Sequence, residues 1–229
     1  MSYYKEHYAA KDRLIVDDIT MLSAIDDNIK ILYINVNQSI IDMNLPINLE
    51  ELIFGGDYDN SLVEVKFPTK IKYIDFGGTL SLVGVSLPEH IIKITVCIEA
   101  LQTINDVTLP ASLIHLRFES YIGDDIIASI PSNFSIIETN NDTVMYKLIA
   151  FPSILRKLII RTRIDSLDNL PNGIEELNIV AVKHTVTNLP PSLKKIIIRG
   201  MDIEDIKRKF IKLPYGCVVV DDTYNVQLT

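Results

Sequence analysis

A proline recurs through most of the chain at a nearly constant interval, each time directly after an apolar residue. The intervals between successive members are 22, 20, 22, 21, 21, 19, 19 and 24 residues. The series consists of Pro46, Pro68, Pro88, Pro110, Pro131, Pro152, Pro171, Pro190 and Pro214. A period in this range is typical of a stacked structural repeat, in which each copy forms one coil of a solenoid. Proline also disfavours long helices here, because it lacks an N–H and fixes φ.

Apolar residues follow each proline in a constant register, which gives the pattern L-P-x-x-L-x-x-L-x-[FIV]. In one copy they are Leu49, Leu52 and Phe54. The last two lie two residues apart, so they fall on one face of a short strand. A single coil cannot bury this apolar row by itself, and stacking on neighbouring coils supplies the missing partner surface.

Two copies depart from the pattern. The copy after Pro131 ends on Thr139 instead of an apolar residue, and the early copy at Ile29 has Asp26 in place of the proline. The alternative fold is an ordinary β-rich globular domain with regularly spaced prolines. It is disfavoured because unrelated strands rarely keep a proline phase and an apolar phase through eight copies.

These motifs resemble leucine-rich repeats of the FNIP type, which are abundant in slime moulds and giant amoeba viruses. That family's unit is similar to L-P-x-S-L-x-x-L-x-F-G-x-x-F-N-x-x-I. The segment from Leu45 to Asn60 is the nearest copy, and Leu109–Phe118 and Leu189–Ile198 match its front half. The front half is also similar to repeats of secreted bacterial effectors, but the Ile, Asn, Asp and Lys bias favours a viral or amoebal origin.

The resemblance covers roughly residues 25 to 220 and implies a β-rich leucine-rich-repeat horseshoe. We expect about nine coils of 19–24 residues, with a parallel sheet of short strands on the concave face. Few helices are expected apart from terminal caps. Many proteins of this family carry an F-box, but the roughly 24 residues before the first coil are too few for one.

The whole chain, residues 1–229, is predicted to form one domain, with an N-terminal cap at 1–24, repeats at 25–201 and a C-terminal cap at 202–229. Residues 2–12 are predicted to form a short helix. A second helix is predicted at 202–211, because Asp202 can cap it and basic residues follow acidic ones along it. Its residues Ile203, Ile206 and Phe210 should face the core, and residues 217–220 should form a last strand.

Charge and composition narrow the class of partner. The net charge of -8 makes nucleic acid an unlikely partner, since phosphate binding needs a concentrated basic face. Cys97 and Cys217 form no C-x-x-C pair and are read as reduced, which indicates an intracellular protein of the cytoplasm, the host cytoplasm or a virion. No apolar run is long enough for a membrane span, and the polar N-terminus does not resemble a signal peptide.

The strand residues that flank the inward row should point to the concave face. In the C-terminal coils this face carries several cations, which reverses the sign of the acidic chain locally. Two isoleucines at these positions should be exposed and favour an interface. The candidate partner-binding residues are Tyr73, Lys93, His115, Arg117, Lys157, Ile159, Arg161, Lys195, Ile197 and Arg199. The competing interpretation is that they are only solvated strand positions.

Neither a catalytic site nor a cofactor site is predicted. None of the four histidines pairs with another at metal-ligand spacing, and phosphate-binding and nucleophile motifs are missing. Cys97 and His115 fall on successive predicted strands, but nothing supplies an oxyanion site or an orienting third residue. Adjacent acidic pairs such as Asp124 and Asp125 are interpreted as turn residues.

The sequence therefore favours a protein-interaction module, not an enzyme, that binds a protein of unknown identity on the concave face of the solenoid. A host-factor adaptor or a ubiquitin-pathway adaptor would be one form of such a module. The alternative is a structural or self-assembling protein of a virion or scaffold, in which solenoids stack end to end. A small-molecule ligand is not expected.

Overall fold

A computed structural model describes residues 12–79, 81–119, 130–140, 151–167, 170–221 and 225–228. The chain divides into two compact units, Met1–Ile114 and His115–Thr229. Both are built from short strands that follow one another in sequence order and pair in parallel with the next coil. The predicted β-rich repeat solenoid is confirmed by these strands.

The described part of the first unit has five strands, and each of them pairs in parallel with its sequence neighbours. They are β1 (Arg13–Val16), β2 (Ile31–Ile34), β3 (Glu51–Phe54), β4 (Tyr73–Asp75) and β5 (Lys93–Cys97). A 3-10 helix at Ile19–Ala24 follows β1. A short helix, α1 (Ile98–Gln102), and a 3-10 turn at Ile104–Asp106 follow β5.

The second unit has the same architecture, with seven strands in its described part, and the first six pair in parallel with their neighbours in unbroken order. They are β6 (His115–Glu119), β7 (Ile136–Thr139), β8 (Lys157–Ile164), β9 (Glu176–Val182), β10 (Lys195–Ile198) and β11 (Val218–Val220). A further strand, β12 (Val226–Leu228), pairs antiparallel with β11. Helix α2 (Ile203–Lys209) lies between β10 and β11.

The proline of each coil sits in a tight turn that delivers the chain into the next strand. The Leu49 N–H donates to the Pro46 carbonyl oxygen at 3.1 Å. The same bond recurs at Pro68, Pro88, Pro110, Pro152, Pro171, Pro190 and Pro214. At the early copy the Ile29 N–H donates to Asp26 at 3.1 Å, so aspartate supplies the same turn without proline. The turn therefore depends on the carbonyl at this position, while proline presets its φ.

Each strand is locked to the preceding coil immediately after the turn. The N–H groups of Glu50 and Glu51 both donate to the Lys30 carbonyl oxygen, at 2.8 and 2.9 Å. One coil later, those of Lys72 and Tyr73 donate to the Glu50 carbonyl oxygen. Because the register is copied from coil to coil, the apolar residues form continuous buried rows. Leu49, Leu52 and Phe54 are all buried.

The weakest repeat copy is packed as well as the others. Phe134, Ile137 and Thr139 are all fully buried, so the threonine occupies a position that other coils fill with an apolar side chain. Thr139 pairs with Phe118 on β6 and with Ile160 on β8, which shows that it occupies the equivalent position in the register. The copies assigned from the pattern are thus real coils, including the one with an imperfect sequence.

Two glycine pairs allow successive coils to approach closely after β3 and β4. Gly77 has a φ of 54°, and a Cβ there would overlap the backbone of Gly55. A Cβ at Gly78 would overlap the Gly56 carbonyl oxygen, whereas a Cβ at Gly56 would meet nothing within 4 Å. Only the later pair therefore requires glycine for lack of space.

The predicted terminal elements are partly confirmed. Helix α2 begins after Asp202, whose carboxylate accepts the Asp205 N–H at 2.8 Å. Ile206 and Phe210 are buried as predicted, while Ile203 is only half-buried. The predicted strand at 217–220 is present as β11. The predicted helix at residues 2–12 lies almost entirely outside the described residues.

Three elements were not predicted from the sequence. β1 lies within the segment interpreted as a cap, because its coil has no leucine–proline pair. β12 follows the last proline and therefore has no repeat signal. α1 replaces the second part of one coil, where the Leu101 and Ile104 side chains fill the interior in place of an extended segment.

Replacing Gly78 with alanine should destabilise the first unit, because the new methyl group would overlap the Gly56 carbonyl and force the two coils apart. We expect a loss of about 1–3 kcal/mol in the free energy of unfolding, measured by urea denaturation. The matched control is Gly56→Ala, which enters open space and should change stability by less than about 1 kcal/mol. Equal effects of the two substitutions would contradict the close approach.

Candidate functional site

Parallel, in-register strands align the outward side chains of the second unit into rows. We call the following set the second-unit face. Its first row is His115, Ile136, Lys157, Glu176 and Lys195, and its middle row is Arg117, Glu138, Ile159, Asn178 and Ile197. Arg161, Val180 and Arg199 follow beyond the middle row on β8, on β9 and directly after β10. These residues alternate with the buried row that includes Leu116 and Leu158, so they lie on the opposite side of the sheet.

Eight of the ten predicted partner-binding residues belong to this face, but its middle row is buried except at Arg117, which is half-buried. Ile159 is 8% exposed and Ile197 only 3%, so the expectation that these isoleucines are exposed is wrong. Strands lie about 4.8 Å apart, so each middle-row side chain is covered by its neighbours in the row and by the long side chains beside it. The isoleucines therefore pack within the sheet, and the exposed side chains of the face are those that flank them.

Glu138 is the centre of a charge cluster on this face. Its side chain is only 2% exposed, and its carboxylate lies 2.5 Å from Arg161 Nε, 3.2 Å from His115 Nε2 and 3.8 Å from Arg117 Nε. A buried carboxylate is costly unless cations and hydrogen bonds compensate it. Three of the predicted partner-binding residues therefore hold Glu138 in place, a role that the sequence pattern did not reveal.

The remaining charged residues of the face differ in their ion pairing and in their exposure to solvent. Lys157 Nζ lies 2.7 Å from the Glu176 carboxylate, across the β8–β9 pair. Lys195 is half-buried in the first row, and Arg199 is exposed at the end of β10. The net charge of the face is positive despite its two glutamates, which agrees with the local reversal of sign expected from the sequence.

The other two predicted residues belong to the first unit. Lys93 Nζ lies 5.1 Å from the centre of the Tyr73 ring, within the range of a cation–π interaction. The Tyr73 hydroxyl donates to Asp75 or pairs with Thr95, at 3.1 and 2.9 Å. Tyr73 is thus fixed by Asp75 on its own strand and by two residues of β5, and its ring contributes a rigid surface beside Lys93.

Charged ladders border the strands in both units, at the position just before each strand. Glu50 lies 3.3 Å from Lys30 and 3.0 Å from Lys72, and hydrogen bonds from Lys72 and then Lys30 lower the pKa of its carboxyl group. In the second unit, Glu175 contacts Lys194 at 2.7 Å, and this hydrogen bond lowers the pKa of Glu175. The ladders are exposed, so each pair contributes little to stability.

Cys97 and His115, the two residues considered as a catalytic pair, make structural contacts instead. Cys97 donates to the Thr79 carbonyl oxygen at 3.1 Å, and burial raises the pKa of its thiol. Such a thiol is a poorer nucleophile at neutral pH. His115 is engaged with Glu138. Within the described residues, no three His, Cys, Asp or Glu side chains are placed to hold a metal ion.

One open groove lies away from the strands, between two successive coils of the first unit. Its volume is about 470 Å³, and residues 41–45, Ile47 and 66–69 line it. Ile47 is exposed at its rim. The lining combines apolar side chains with Asp42 and Lys66, and the sequence pattern gave no signal for a groove at this place.

Comparison with known proteins supports the repeat class. No curated protein matches this chain. Residues 36–79 match the FNIP Repeat family. This segment contains β3, β4 and both glycine pairs, so the FNIP-type resemblance noted in the sequence is confirmed there. The FNIP repeat and the leucine-rich-repeat solenoid are in general folds without enzymatic activity, and such folds commonly mediate protein interactions.

A solved structure is also similar to this chain. It is CroV588, described as a novel circular LRR protein and coming from a giant virus. The two are 19% identical, with a TM-score of 0.48. The comparison covers 86% of this chain and 34% of CroV588, so the chain spans about a third of that protein's length. In the described part of the chain, none of the helices has the length and apolar content to cross a membrane.

Replacing Arg161 with alanine should destabilise the second unit, because it removes the shortest of the cation contacts to the buried Glu138. We expect a loss of about 1–3 kcal/mol in the free energy of unfolding at neutral pH. Removing the negative charge as well, in the double variant Glu138→Gln/Arg161→Ala, should recover part of that loss.

The matched control is Arg163→Ala, which removes an exposed arginine from the same strand and should change stability by less than about 0.5 kcal/mol. Chemical denaturation followed by circular dichroism measures all three variants. If Arg161→Ala is no more destabilising than Arg163→Ala, the Glu138 cluster does not stabilise the unit.

Proposed function

We propose that this chain is a protein-interaction module that binds its partner through the second-unit face. The observation that supports this most is the composition of that face. A buried middle row makes it rigid, and charged side chains stand on both sides of that row at spacings fixed by the strands. A rigid array of this kind can recognise a protein surface with little loss of conformational entropy.

The positive character of the face indicates the sign of the partner surface. The chain as a whole has a net charge of -8, so an acidic partner is repelled except where cations are concentrated. Lys157, Lys195 and Arg199 are the described cations of the face that lie outside the Glu138 cluster. We therefore expect the partner to dock with an acidic region opposite these side chains.

A host-factor or ubiquitin-pathway adaptor would use the same surface, and an intracellular location suits both of these roles. Self-assembly into a virion or scaffold is the second candidate. It would need strands that remain open at the ends of the ladder. In the second unit, β12 pairs antiparallel with β11, so the parallel ladder ends there and a further strand would have to pair with the three-residue β12. The adaptor role is therefore the better supported of the two.

Placing a photo-crosslinking amino acid at Lys195 should trap the partner in the cells that make the protein, because this residue lies in the first row of the face. The same amino acid at Lys212, which is exposed outside the strands after α2, is the control. We expect a discrete crosslinked protein from position 195 that is weak or missing from position 212, as measured by mass spectrometry. Equal products from both positions, or none from position 195, would contradict the proposed surface.

A further inference from the structure

The carboxyl ends of β8 and β10 in the second unit form a second concentration of positive charge. We propose that Arg161, Arg163 and Arg199, which we call the arginine patch, hold a carboxylate-rich segment of a protein partner. The proposal rests on the proposed function and adds to it the part of the face that recognises acidic residues. Arg163 was not among the residues selected from the sequence.

A β-bulge in β8 lies opposite Val180 and includes Arg161, with Arg163 at the first pair after it. Ile160 pairs with Ile179 on β9, but the next pair is Arg163 with Ala181. Two residues of β8, Arg161 and Thr162, therefore oppose the single residue Val180. A bulge of this kind bends its strand and redirects the side chains next to it. It places two arginines within three residues at the carboxyl end of β8.

Arg199 completes the patch from the other side of β9. Ile198 pairs with Ile179, and the Arg199 N–H donates to the Ile179 carbonyl oxygen at 3.2 Å. The Gly200 N–H then donates to Val180 at 2.8 Å, which keeps the chain alongside β9. Arg161 and Arg199 thus lie on opposite sides of Val180, with their backbones about 10 Å apart, two strand spacings.

The cations of the patch are incompletely neutralised. Among the residues that the structure describes, the side chains of Arg163 and Arg199 have no ion-pair partner, and both are exposed. Two carboxylates of the same region have other partners: Asp165 lies 3.6 Å from Lys183, and Asp202 caps helix α2. Arg161 contacts Glu138 through Nε, which is one of the five N–H donors of its guanidinium group.

The chemistry of the patch fits carboxylates on an extended protein segment. Guanidinium groups bind carboxylates in bidentate geometry, which gives directional recognition as well as charge. In an extended segment, side chains two residues apart point the same way at a spacing of about 7 Å. Flexible arginine side chains whose backbones are about 10 Å apart can reach two such carboxylates. A long nucleic acid is less suitable, because it would also meet the acidic remainder of the chain.

A fluorescein-labelled hexaglutamate peptide is a direct probe of this patch, with binding followed by fluorescence anisotropy on the full chain. The wild-type protein should bind it, and binding should weaken as salt rises, since the contact is between exposed charges. The variant Arg163→Glu/Arg199→Glu should lose about tenfold or more in affinity. Circular dichroism confirms that the variant is folded.

The matched control is Lys207→Glu/Lys212→Glu, which makes the same change in net charge on and after α2. It should retain the affinity of the wild type to within about twofold, because it leaves the patch intact. Failure of the wild type to bind, or equal losses in both double variants, would overturn the proposal. Tighter binding of a hexathymidine oligonucleotide than of the peptide would overturn it too. If the peptide experiment gives one of these results but the Lys195 crosslink is still obtained, the proposed function is supported and only the role of the arginine patch is rejected.

Discussion

Hydrogen bonding of each coil to the one before it is the interaction on which the rest of the structure depends. A carbonyl group just before each strand, such as that of Lys30, accepts two N–H groups from the next coil. This contact fixes the register, and the register places apolar residues over apolar residues in the interior. It also aligns the outward side chains into rows. One backbone contact thus determines both the core and the candidate binding face.

The same alignment explains why the charge of the outward face cannot be obtained by counting residues. A side chain in the middle row has neighbours on two strands and side chains of other rows beside it, so it becomes buried even though it points away from the core. Glu138 is buried in this way and recruits Arg161, Arg117 and His115. The charges outside this cluster lie at the margins of the face and include Lys195 and Arg199.

Much of the fold could be predicted because its signal is periodic. The proline and apolar phases placed nine of the strands to within a few residues, and they identified Thr139 as an interior position. The rest depends on contacts between residues far apart in sequence. β1 and β12 lie outside the proline series, and the bulge that presents Arg163 arises from a mismatch in length between two strands. Burial of Ile159 and Ile197 was missed because the pattern defines which side of the strand a residue faces, but not how densely that side is packed.

The central claim is that the second-unit face, and not the loops outside the strands, contacts a protein partner. Lysine acetylation footprinting measures this most directly, since it reports the accessibility of each lysine in solution. The experiment uses the partner identified by crosslinking, purified without the crosslink and added to the wild-type chain. The account predicts that Lys157 and Lys195 react more slowly when the partner is bound, while Lys66 and Lys212 react at unchanged rates. Protection of Lys66 or Lys212 with unchanged reactivity at Lys157 and Lys195 would contradict it.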